Sequence, residues 1–281
     1  MRYVLAPLRL LGLLVLLLAG LAIAAFVFPW RTQAQRNRTI RRWSALLMVV
    51  CGARVTAVGA LPSELAQTGM LPGSRGRLLL ANHVSWIDIF AINAALPARF
   101  VAKSEIGSWP LMGTLVTLAG TLYIERGRRH AVHAMNLKVR EKLAAGESIA
   151  LFAEGTTTDG STLLPFHSNL VAPALEVGSE VWPVALRYTE DGEFSTAAAF
   201  IGEMTLPQSM WQIITARRLA IEVAFLPPVA TTAQGETPAP TRHHIAQEAR
   251  LAIAGYLQID LDDSAARKAS GVGAPTSVGT D

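Results

Sequence analysis

The feature that constrains this chain most is a strongly apolar segment near its N-terminus. No charged side chain occurs from Leu10 to Trp30, a run of 21 residues. A helix of that length is about 30 Å long, which is the thickness of the hydrocarbon core of a bilayer. The segment therefore predicts a membrane-anchoring helix over residues 10–30. A secretory signal peptide is the alternative, since Ala22-Ile23-Ala24 resembles a cleavage site.

Positive charge is concentrated just after the apolar segment. Two arginines precede the segment and five follow it, namely Arg2 and Arg9, then Arg31, Arg36, Arg38, Arg41 and Arg42. This asymmetry predicts an inner-membrane protein whose main domain faces the cytosol, with the arginines against anionic lipid. The next apolar stretch, residues 43–52, is too short to span a bilayer. It is either a helix packed on the core or an interfacial helix, so residues 1–53 are assigned to an anchor and a basic interfacial helix.

Beyond residue 53 the chain alternates between short apolar runs and amphipathic segments. Strands are expected at 54–58, 77–81, 99–102, 121–125, 148–153, 181–188 and 218–226, and helices at 87–96, 108–118, 130–144 and 241–258. This order predicts one α/β domain over residues 54–260, with a largely parallel sheet flanked by helices. The remaining residues 261–281 are rich in Ala, Ser, Gly and Thr, which predicts a disordered tail.

A histidine and an aspartate lie in the loop that follows the second predicted strand. His83 and Asp88 are five residues apart, which would place them about 140° from each other on one helix. They can pair only if His83 stays on the loop and Asp88 begins the helix. An imidazole held in this way has one nitrogen free to accept a proton. The alternative is a helix-capping aspartate beside a solvated histidine.

Three further segments fall where the predicted strands end, at the edge of the sheet that collects active sites. They are Tyr123-Ile124-Glu125-Arg126, Phe152-Ala153-Glu154-Gly155-Thr156 and Val181-Trp182-Pro183-Val184. Each has a simple structural explanation by itself: a surface arginine, a Thr-rich turn and a proline at a strand start. The order and spacing of all the segments are more specific.

The four segments together resemble the motifs of the glycerolipid acyltransferase family, whose best-known members are the 1-acylglycerol-3-phosphate acyltransferases. The family motif N-H-x-S-x-x-D is present at Asn82, His83, Ser85 and Asp88. The strand that ends in Arg126 resembles the second motif, and F-P-E-G-T appears with Ala153 in place of proline. V-x-P-V matches the segment that contains Pro183, and Lys103 fits the stretch between the first two motifs. The resemblance covers residues 78–188.

The resemblance implies a mechanism and a set of partners. His83, oriented by Asp88, would deprotonate a lysolipid hydroxyl, which attacks an acyl thioester carried by coenzyme A or by acyl carrier protein. Arg126, Glu154, Gly155 and Thr156 would hold the polar head of the acceptor, and no metal or organic cofactor is required. The expected acceptor is 1-acyl-sn-glycerol-3-phosphate.

One departure from the family pattern bears on the acceptor. Thr157 stands where many phosphate-acceptor members have arginine, which removes a bidentate phosphate ligand. Arg126, Arg128 or Arg187 could compensate for it. Otherwise the acceptor is lyso-ornithine lipid or another lysophospholipid.

Other classes of protein fit the sequence less well. A serine hydrolase would need a G-x-S-x-G elbow, which is absent. A single cysteine, Cys51, offers no cysteine zinc site, and no carboxylate completes a metal pattern around the histidines. The basic residues cluster beside the apolar segment rather than among exposed aromatics, so nucleic acid is not an expected partner. A non-catalytic lipid-binding membrane protein remains the alternative from another class.

Overall fold

The computed structural model describes residues 2–71, 73–124, 129–232 and 239–261. The N-terminal segment forms α1 (Arg2–Ala22), which continues through a π turn and a 3₁₀ turn to Trp30. Helix α2 (Gln33–Cys51) runs back alongside α1. The side chain of Thr32 accepts a hydrogen bond at the start of α2, and Gly52 ends the helix in the left-handed conformation that glycine favours.

The centre of the molecule is an eight-stranded sheet. The strands are β1 (Arg54–Val58), β2 (Leu78–Ala81), β3 (Arg99–Lys103), β4 (Leu122–Ile124), β5 (Ile149–Phe152), β6 (Val181–Glu190), β7 (Glu193–Phe194) and β8 (Ala220–Phe225). Their order is β1-β8-β6-β2-β5-β3-β4, with β7 paired to β6. Only β6–β8 and β6–β7 are antiparallel. The prediction of a mixed α/β fold with a largely parallel sheet is confirmed.

Helices cover both faces of the sheet. After α2 they are α3 (Ser63–Thr68), α4 (Asp88–Ala95), α5 (Met112–Leu118), α6 (Arg129–Ala144), α7 (Ala172–Val177), α8 (Leu206–Thr215) and α9 (Arg242–Leu257). Helices α3, α7 and α8 and strand β7 were not predicted. The helix expected from residue 108 begins only at Met112, because Leu111 has a positive φ of 60°, outside the right-handed helical region.

Consecutive residues of the central strand β2 enter two separate cores. Leu79 and Ala81 pack with α2, α4 and α8, whereas Leu78 and Leu80 pack with α6, α7 and α9. All four side chains are buried, as in a parallel strand covered on both faces. This arrangement leaves the two ends of the strands as the accessible edges of the sheet.

The N-terminal hairpin packs on this body instead of standing apart from it. Residues 43–52 form the C-terminal part of α2. They bury Leu47, Met48 and Cys51 in the core, while Leu46 and Val49 are exposed. Helix α1 is held near its start, where the Arg9 guanidinium donates to the Ile214 carbonyl of α8.

The same apolar helix is also held near its far end. Ala24 and Phe28 pack there against Leu115 of α5. Val4–Trp30 is long and apolar enough to cross a membrane, by length and composition. Most of its residues face outward, so that the hairpin presents a broad apolar surface.

Candidate active site

The site lies at the carboxyl edge of the parallel sheet, where β2 and β5 end side by side. Ala81 and Phe152 are partners in the ladder, and each strand continues directly into a loop that carries polar residues. The loop after β2 holds His83, and the loop after β5 holds Glu154. Parallel register therefore brings together side chains that are 71 positions apart in the chain.

The structure pairs His83 with Asp88. His83 lies on the loop and Asp88 is the first residue of α4, the one arrangement in which the sequence allowed them to meet. The distance from His83 Nδ1 to Asp88 Oδ2 is 2.8 Å. Because a carboxylate oxygen can only accept, Nδ1 carries the proton and Nε2 is left as the basic nitrogen. Nε2 has no hydrogen-bond partner among the described residues, and the side chain is 18% exposed.

Asp88 is completely buried and is held by four donors. Its Oδ2 atom also accepts hydrogen bonds from the backbone amides of Val84 and Ser85, at 2.8 and 2.9 Å. The phenol of Tyr188, on β6, donates to Oδ1. Burial raises the pKa of Tyr188 well above its ordinary value, with a further contribution from Asp88, so that the phenol remains a donor. Sequence reasoning missed Tyr188, which is 100 positions from Asp88.

Phe152 fixes the plane of the His83 imidazole from the other side. Its ring stacks on that of His83, with 3.8 Å between centroids and 6° between planes. Phe100 of β3 packs next to Phe152, at 5.7 Å between centroids. The His83 ring is therefore held in one orientation by a carboxylate at its edge and by an aromatic ring on its face.

Glu154 connects the two loops through backbone hydrogen bonds. One of its oxygens accepts from the His83 amide at 2.8 Å, and the other accepts from the Leu164 amide at 2.9 Å. The carboxyl is buried, which raises its pKa to about 7, although both hydrogen bonds lower it. In this structure the Glu154 carboxyl accepts a hydrogen bond from the backbone amide of His83. The family resemblance had instead implied that Glu154 holds the polar head of the acceptor.

Arg250 of α9 supports the loop that follows β5, and sequence reasoning also missed this residue. The residue is 5% exposed, and its guanidinium donates to the carbonyls of Leu163 and Leu164. Its positive charge also lowers the pKa of Glu154. A lone arginine in a C-terminal helix gives no signal in the sequence that would link it to a loop 87 positions away.

Asn82 extends the sheet beyond the last backbone pair of β2 and β6. Its amide group donates to the Leu186 carbonyl at 3.1 Å and accepts from the Leu186 amide at 2.8 Å. Pro183 lies where the pairing of β6 with β8 begins, and its carbonyl accepts from the Leu226 amide. Ser85 contributes its backbone amide to Asp88, while its buried hydroxyl has no partner among the described residues.

The residues after Glu154 form a turn at the mouth of the site. Gly155 has a φ of +73°, which disfavours a side chain, and an added Cβ would lie 3.0 Å from His167. Thr156 is exposed beside it. The Thr157 hydroxyl donates to the Phe200 carbonyl, and the Thr158 amide donates to the His83 carbonyl at 2.8 Å. This turn thus carries hydroxyl and amide groups but no positive charge.

The structure describes only some of the cations that were considered as ligands of the acceptor. Lys103 is exposed at the end of β3, beside Ile124, on the same edge as His83. Arg126 and Arg128 lie outside the described residues. Arg187 donates to the Tyr256 carbonyl and lies over the ring of that tyrosine, so that it is committed to α9 instead of the site.

An apolar pocket opens between the hairpin and the sheet. Its cavity volume is about 70 Å³, it is partly open to solvent, and it is lined by α1, α2, α4, α5 and β3. Phe90 and Phe100 form part of its wall, and Phe100 contacts the Phe152 ring that stacks on His83. The apolar space therefore comes within two aromatic rings of the basic nitrogen.

The arrangement suits proton abstraction beside an apolar binding space. A histidine with an anchored Nδ1 and an unpartnered Nε2 can act as a general base. Among the described residues, no group of three histidine, cysteine or acidic side chains could hold a metal ion.

Comparison with known proteins shows the family to which the chain belongs. Residues 63–187 match the acyltransferase family. The chain is 36% identical over 260 residues to a lyso-ornithine lipid O-acyltransferase of Pseudomonas aeruginosa, covering 91% of this chain and 95% of that protein. It is 38% identical over 179 residues to a 1-acyl-sn-glycerol-3-phosphate acyltransferase of Neisseria meningitidis, covering 64% and 70% of the two chains.

A solved structure shows the same fold. The 1-acyl-sn-glycerophosphate acyltransferase of Thermotoga maritima aligns with a TM-score of 0.58 and 19% identity, covering 95% of this chain and 99% of that one. The family match includes His83, Asp88, Glu154 and Pro183. The near-complete alignment with a protein 36% identical extends the relationship to the hairpin and to α9. This chain is a member of the acyltransferase family and acts on lysolipids.

Proposed function

We propose that His83 and Asp88 catalyse acyl transfer from a thioester to the hydroxyl of a lysolipid. His83 Nε2 takes the proton of the hydroxyl as the oxygen attacks the thioester carbonyl. When the carbon–sulfur bond breaks, the imidazolium returns the proton to the leaving thiolate. The observation that carries this proposal is the geometry of His83, with Nδ1 bound to Asp88 at 2.8 Å and Nε2 unpartnered among the described residues.

The apolar pocket supports a site for an acyl chain. It is a narrow apolar cleft of about 70 Å³ bounded by side chains from five different elements, and its wall includes Phe100 beside the His83–Phe152 stack. A chain lying there would leave its polar end close to the catalytic nitrogen. The donor is an acyl thioester of coenzyme A or of acyl carrier protein, and the experiment below separates the two.

The acceptor is proposed to be lyso-ornithine lipid, with 1-acyl-sn-glycerol-3-phosphate as the second candidate. A phosphate monoester carries close to two negative charges and favours a bidentate arginine. The position after Thr156 holds Thr157, whose hydroxyl is bound to the Phe200 carbonyl, and Arg187 faces α9. An ornithine head carries an ammonium and a carboxylate, so it needs less positive charge. Lys103 supports the second candidate, since it is exposed at the same edge.

The protein is proposed to work at the cytosolic face of the inner membrane. The exposed side chains of α1 are almost all apolar, and the arginines of α2 follow them. Because Arg9 and Phe28 contact the folded domain near the two ends of the apolar segment, a fully spanning α1 would draw α5 and α8 into the bilayer. We propose that the hairpin inserts its exposed face into one leaflet, with residues 54–260 beside it.

Cysteine labelling tests this orientation. Cys51 is buried, and burial raises its pKa to about 12, so a membrane-impermeant maleimide should not modify it. In Arg2→Cys, the reagent should react only after spheroplasts are lysed. Labelling of intact spheroplasts would show that the N-terminus crosses the membrane.

The catalytic proposal is tested by acyl transfer with the full-length protein in liposomes. Wild type, His83→Ala and a control, His133→Ala, are each offered four pairs of substrates: acyl-coenzyme A or acyl carrier protein thioester, with either lysolipid. His133 is exposed on α6, on the opposite face of the sheet from α4. We expect His83→Ala to lose at least 10²-fold in rate, with the control unchanged.

The pattern of products separates the candidate functions. Turnover of lyso-ornithine lipid alone supports the preferred acceptor, and turnover of 1-acyl-sn-glycerol-3-phosphate alone supports the second candidate. Activity that survives in folded His83→Ala would contradict the proposed general base. Folded wild type that binds lysolipid and transfers nothing from either donor would favour a non-catalytic lipid-binding role.

A further inference from the structure

A second groove lies between α2 and α3, away from the catalytic residues. Its volume is about 300 Å³ and it is partly open to solvent. Its walls are formed by Arg38, Arg41, Arg42, Ser63, Ala66 and Gln67. Three arginines thus face a space large enough for a polar head group, bounded on its other side by small or uncharged residues.

The three arginines are not neutralised by the rest of the described chain. No carboxylate among the described residues lies within ion-pair distance of them, and Glu64, on the neighbouring helix, forms no ion pair with them. Other arginines are paired: Arg77 with Glu180, Arg99 with Glu147, Arg140 with Glu176, Arg187 with Glu222, and Arg217 and Arg218 with Asp191. The Nε atom of Arg41 is buried without a hydrogen-bond partner. A buried unpaired donor is costly unless a ligand satisfies it.

The groove is continuous with an apolar surface on the same helix. Leu46 and Val49 lie one and two turns beyond Arg42 on α2 and are 50% and 69% exposed. Helix α1 packs against this helix. A ligand that combined an anionic head with apolar tails would meet positive charge in the groove and apolar side chains immediately next to it.

The groove is far from the catalytic edge of the sheet. Helix α3 ends at Gly69, whose carbonyl accepts from both the amide and the hydroxyl of Ser148. Ser148 directly precedes β5, whereas the catalytic loop follows the other end of that strand. A ligand in the groove is therefore not the lysolipid undergoing reaction.

We propose that this groove binds the phosphate of an anionic membrane phospholipid, whose acyl chains lie over Leu46 and Val49. The lipid would serve as a docking ligand that holds the hairpin at an anionic surface, and it is independent of the acyl-transfer chemistry. An acidic protein such as acyl carrier protein would also be attracted by three arginines. The adjacent apolar face and the distance from the catalytic loop favour a lipid.

Liposome binding by the full-length protein tests the proposal. A groove variant, Arg38→Gln/Arg41→Gln/Arg42→Gln, is compared with a control that loses three cations from α6, Lys138→Gln/Arg140→Gln/Lys142→Gln. Helix α6 covers the opposite face of the sheet. A second groove variant, Arg38→Gln/Arg42→Gln, changes only exposed side chains and guards against a folding defect from Arg41. Folding of each variant is checked by circular dichroism.

The expected result is selective loss of binding to anionic vesicles. Each arginine near an anionic surface contributes about fivefold in affinity, so the triple groove variant should bind vesicles with 30% phosphatidylglycerol on the order of 100-fold more weakly. The double variant should lose on the order of 25-fold. Binding to pure phosphatidylcholine should not change, and the α6 control should stay within a few-fold of wild type.

Three results would overturn the proposal. Equal losses of vesicle affinity in the groove and α6 variants would show that binding depends on the net charge of the protein and not on the groove. Competition by millimolar inorganic phosphate, as effective as that by dihexanoyl phosphatidylglycerol, would show a site for free phosphate. A groove variant that binds anionic vesicles normally but no longer binds acyl carrier protein would show that the arginines serve a protein partner.

Discussion

Replacement of Tyr188 by phenylalanine tests whether the buried support of Asp88 contributes to catalysis. The phenol donates to Asp88 Oδ1, while the other three donors to this carboxylate all bind Oδ2. Phenylalanine preserves the packing of the ring and removes only the hydroxyl. The carboxylate, which is completely buried, cannot replace the lost donor with bulk water.

The size of the effect follows from these contacts. A hydrogen bond to a charged group contributes about 1.5–3 kcal/mol, so the free energy of unfolding should fall by about 2 kcal/mol in Tyr188→Phe. Without the contact to Oδ1, the carboxylate can rotate and orient His83 less well. We expect kcat to fall about tenfold, equivalent to about 1.4 kcal/mol. KM should not change, because Tyr188 is buried and cannot touch the substrate.

Tyr256→Phe provides a matched control. Its phenol also donates to a carboxylate, that of Glu222 at 3.0 Å, but this pair lies on the α9 side of the sheet. Thermal unfolding in detergent and steady-state acyl transfer are measured for both variants. A tenfold loss of kcat in both would indicate a general loss of stability. Wild-type kcat in a folded Tyr188→Phe would refute the reasoning that the phenol positions Asp88.

Three other substitutions test the supports and the substrate sites. The free energy of unfolding should decrease by about 3 kcal/mol between pH 4.5 and about pH 7, because the raised pKa of Glu154 makes the folded state retain a proton that the unfolded chain releases. Glu154→Gln should remove this decrease in urea unfolding at pH 5 and pH 8, and an unchanged slope would contradict it. Thr157→Arg should raise the turnover of 1-acyl-sn-glycerol-3-phosphate relative to lyso-ornithine lipid by about tenfold; the neutral Thr157→Gln serves as control, and an unchanged ratio would argue against phosphate recognition at this turn. Ala119→Phe, which fills the apolar pocket, should lower kcat/KM for the longest acyl thioesters by about tenfold or more while sparing short ones, since each displaced methylene is worth about fourfold. Equal turnover of all chain lengths would place the acyl chain elsewhere, and Ala134→Phe on the exposed face of α6 is the control.

Local patterns in the sequence were sufficient for most of the fold. The sheet was predictable because each buried strand is a short apolar run bounded by glycine, proline or polar residues, and α9 (Arg242–Leu257) lies within the helix predicted over 241–258. The short helices α3 and α7 were not predictable, since six residues do not complete two helical turns. They form because tertiary packing buries residues such as Leu65.

The pairing of His83 with Asp88 could be considered from the sequence because the two residues are five positions apart. The sequence left open whether the chain between them is helical or looped, and the structure places His83 on the loop and Asp88 at the first position of α4. The supports were not visible in this way. Glu154 and Tyr188 reach the pair from 71 and 100 positions away through strand register. Arg250 reaches the Leu163 carbonyl from 87 positions away through the packing of α9.

Apolar length, periodicity and close spacing are local properties, so the sequence alone was enough to predict an apolar N-terminal helix, an α/β domain and a candidate His–Asp pair. The surroundings of that pair depend on tertiary structure. In the folded chain the Glu154 carboxyl binds the backbone amide of His83, and Arg187 binds the carbonyl of Tyr256. Helices α1 and α2 line an apolar pocket together with the sheet. Those outcomes depend on which strands become neighbours and on which face each side chain points to, and no local pattern specifies either.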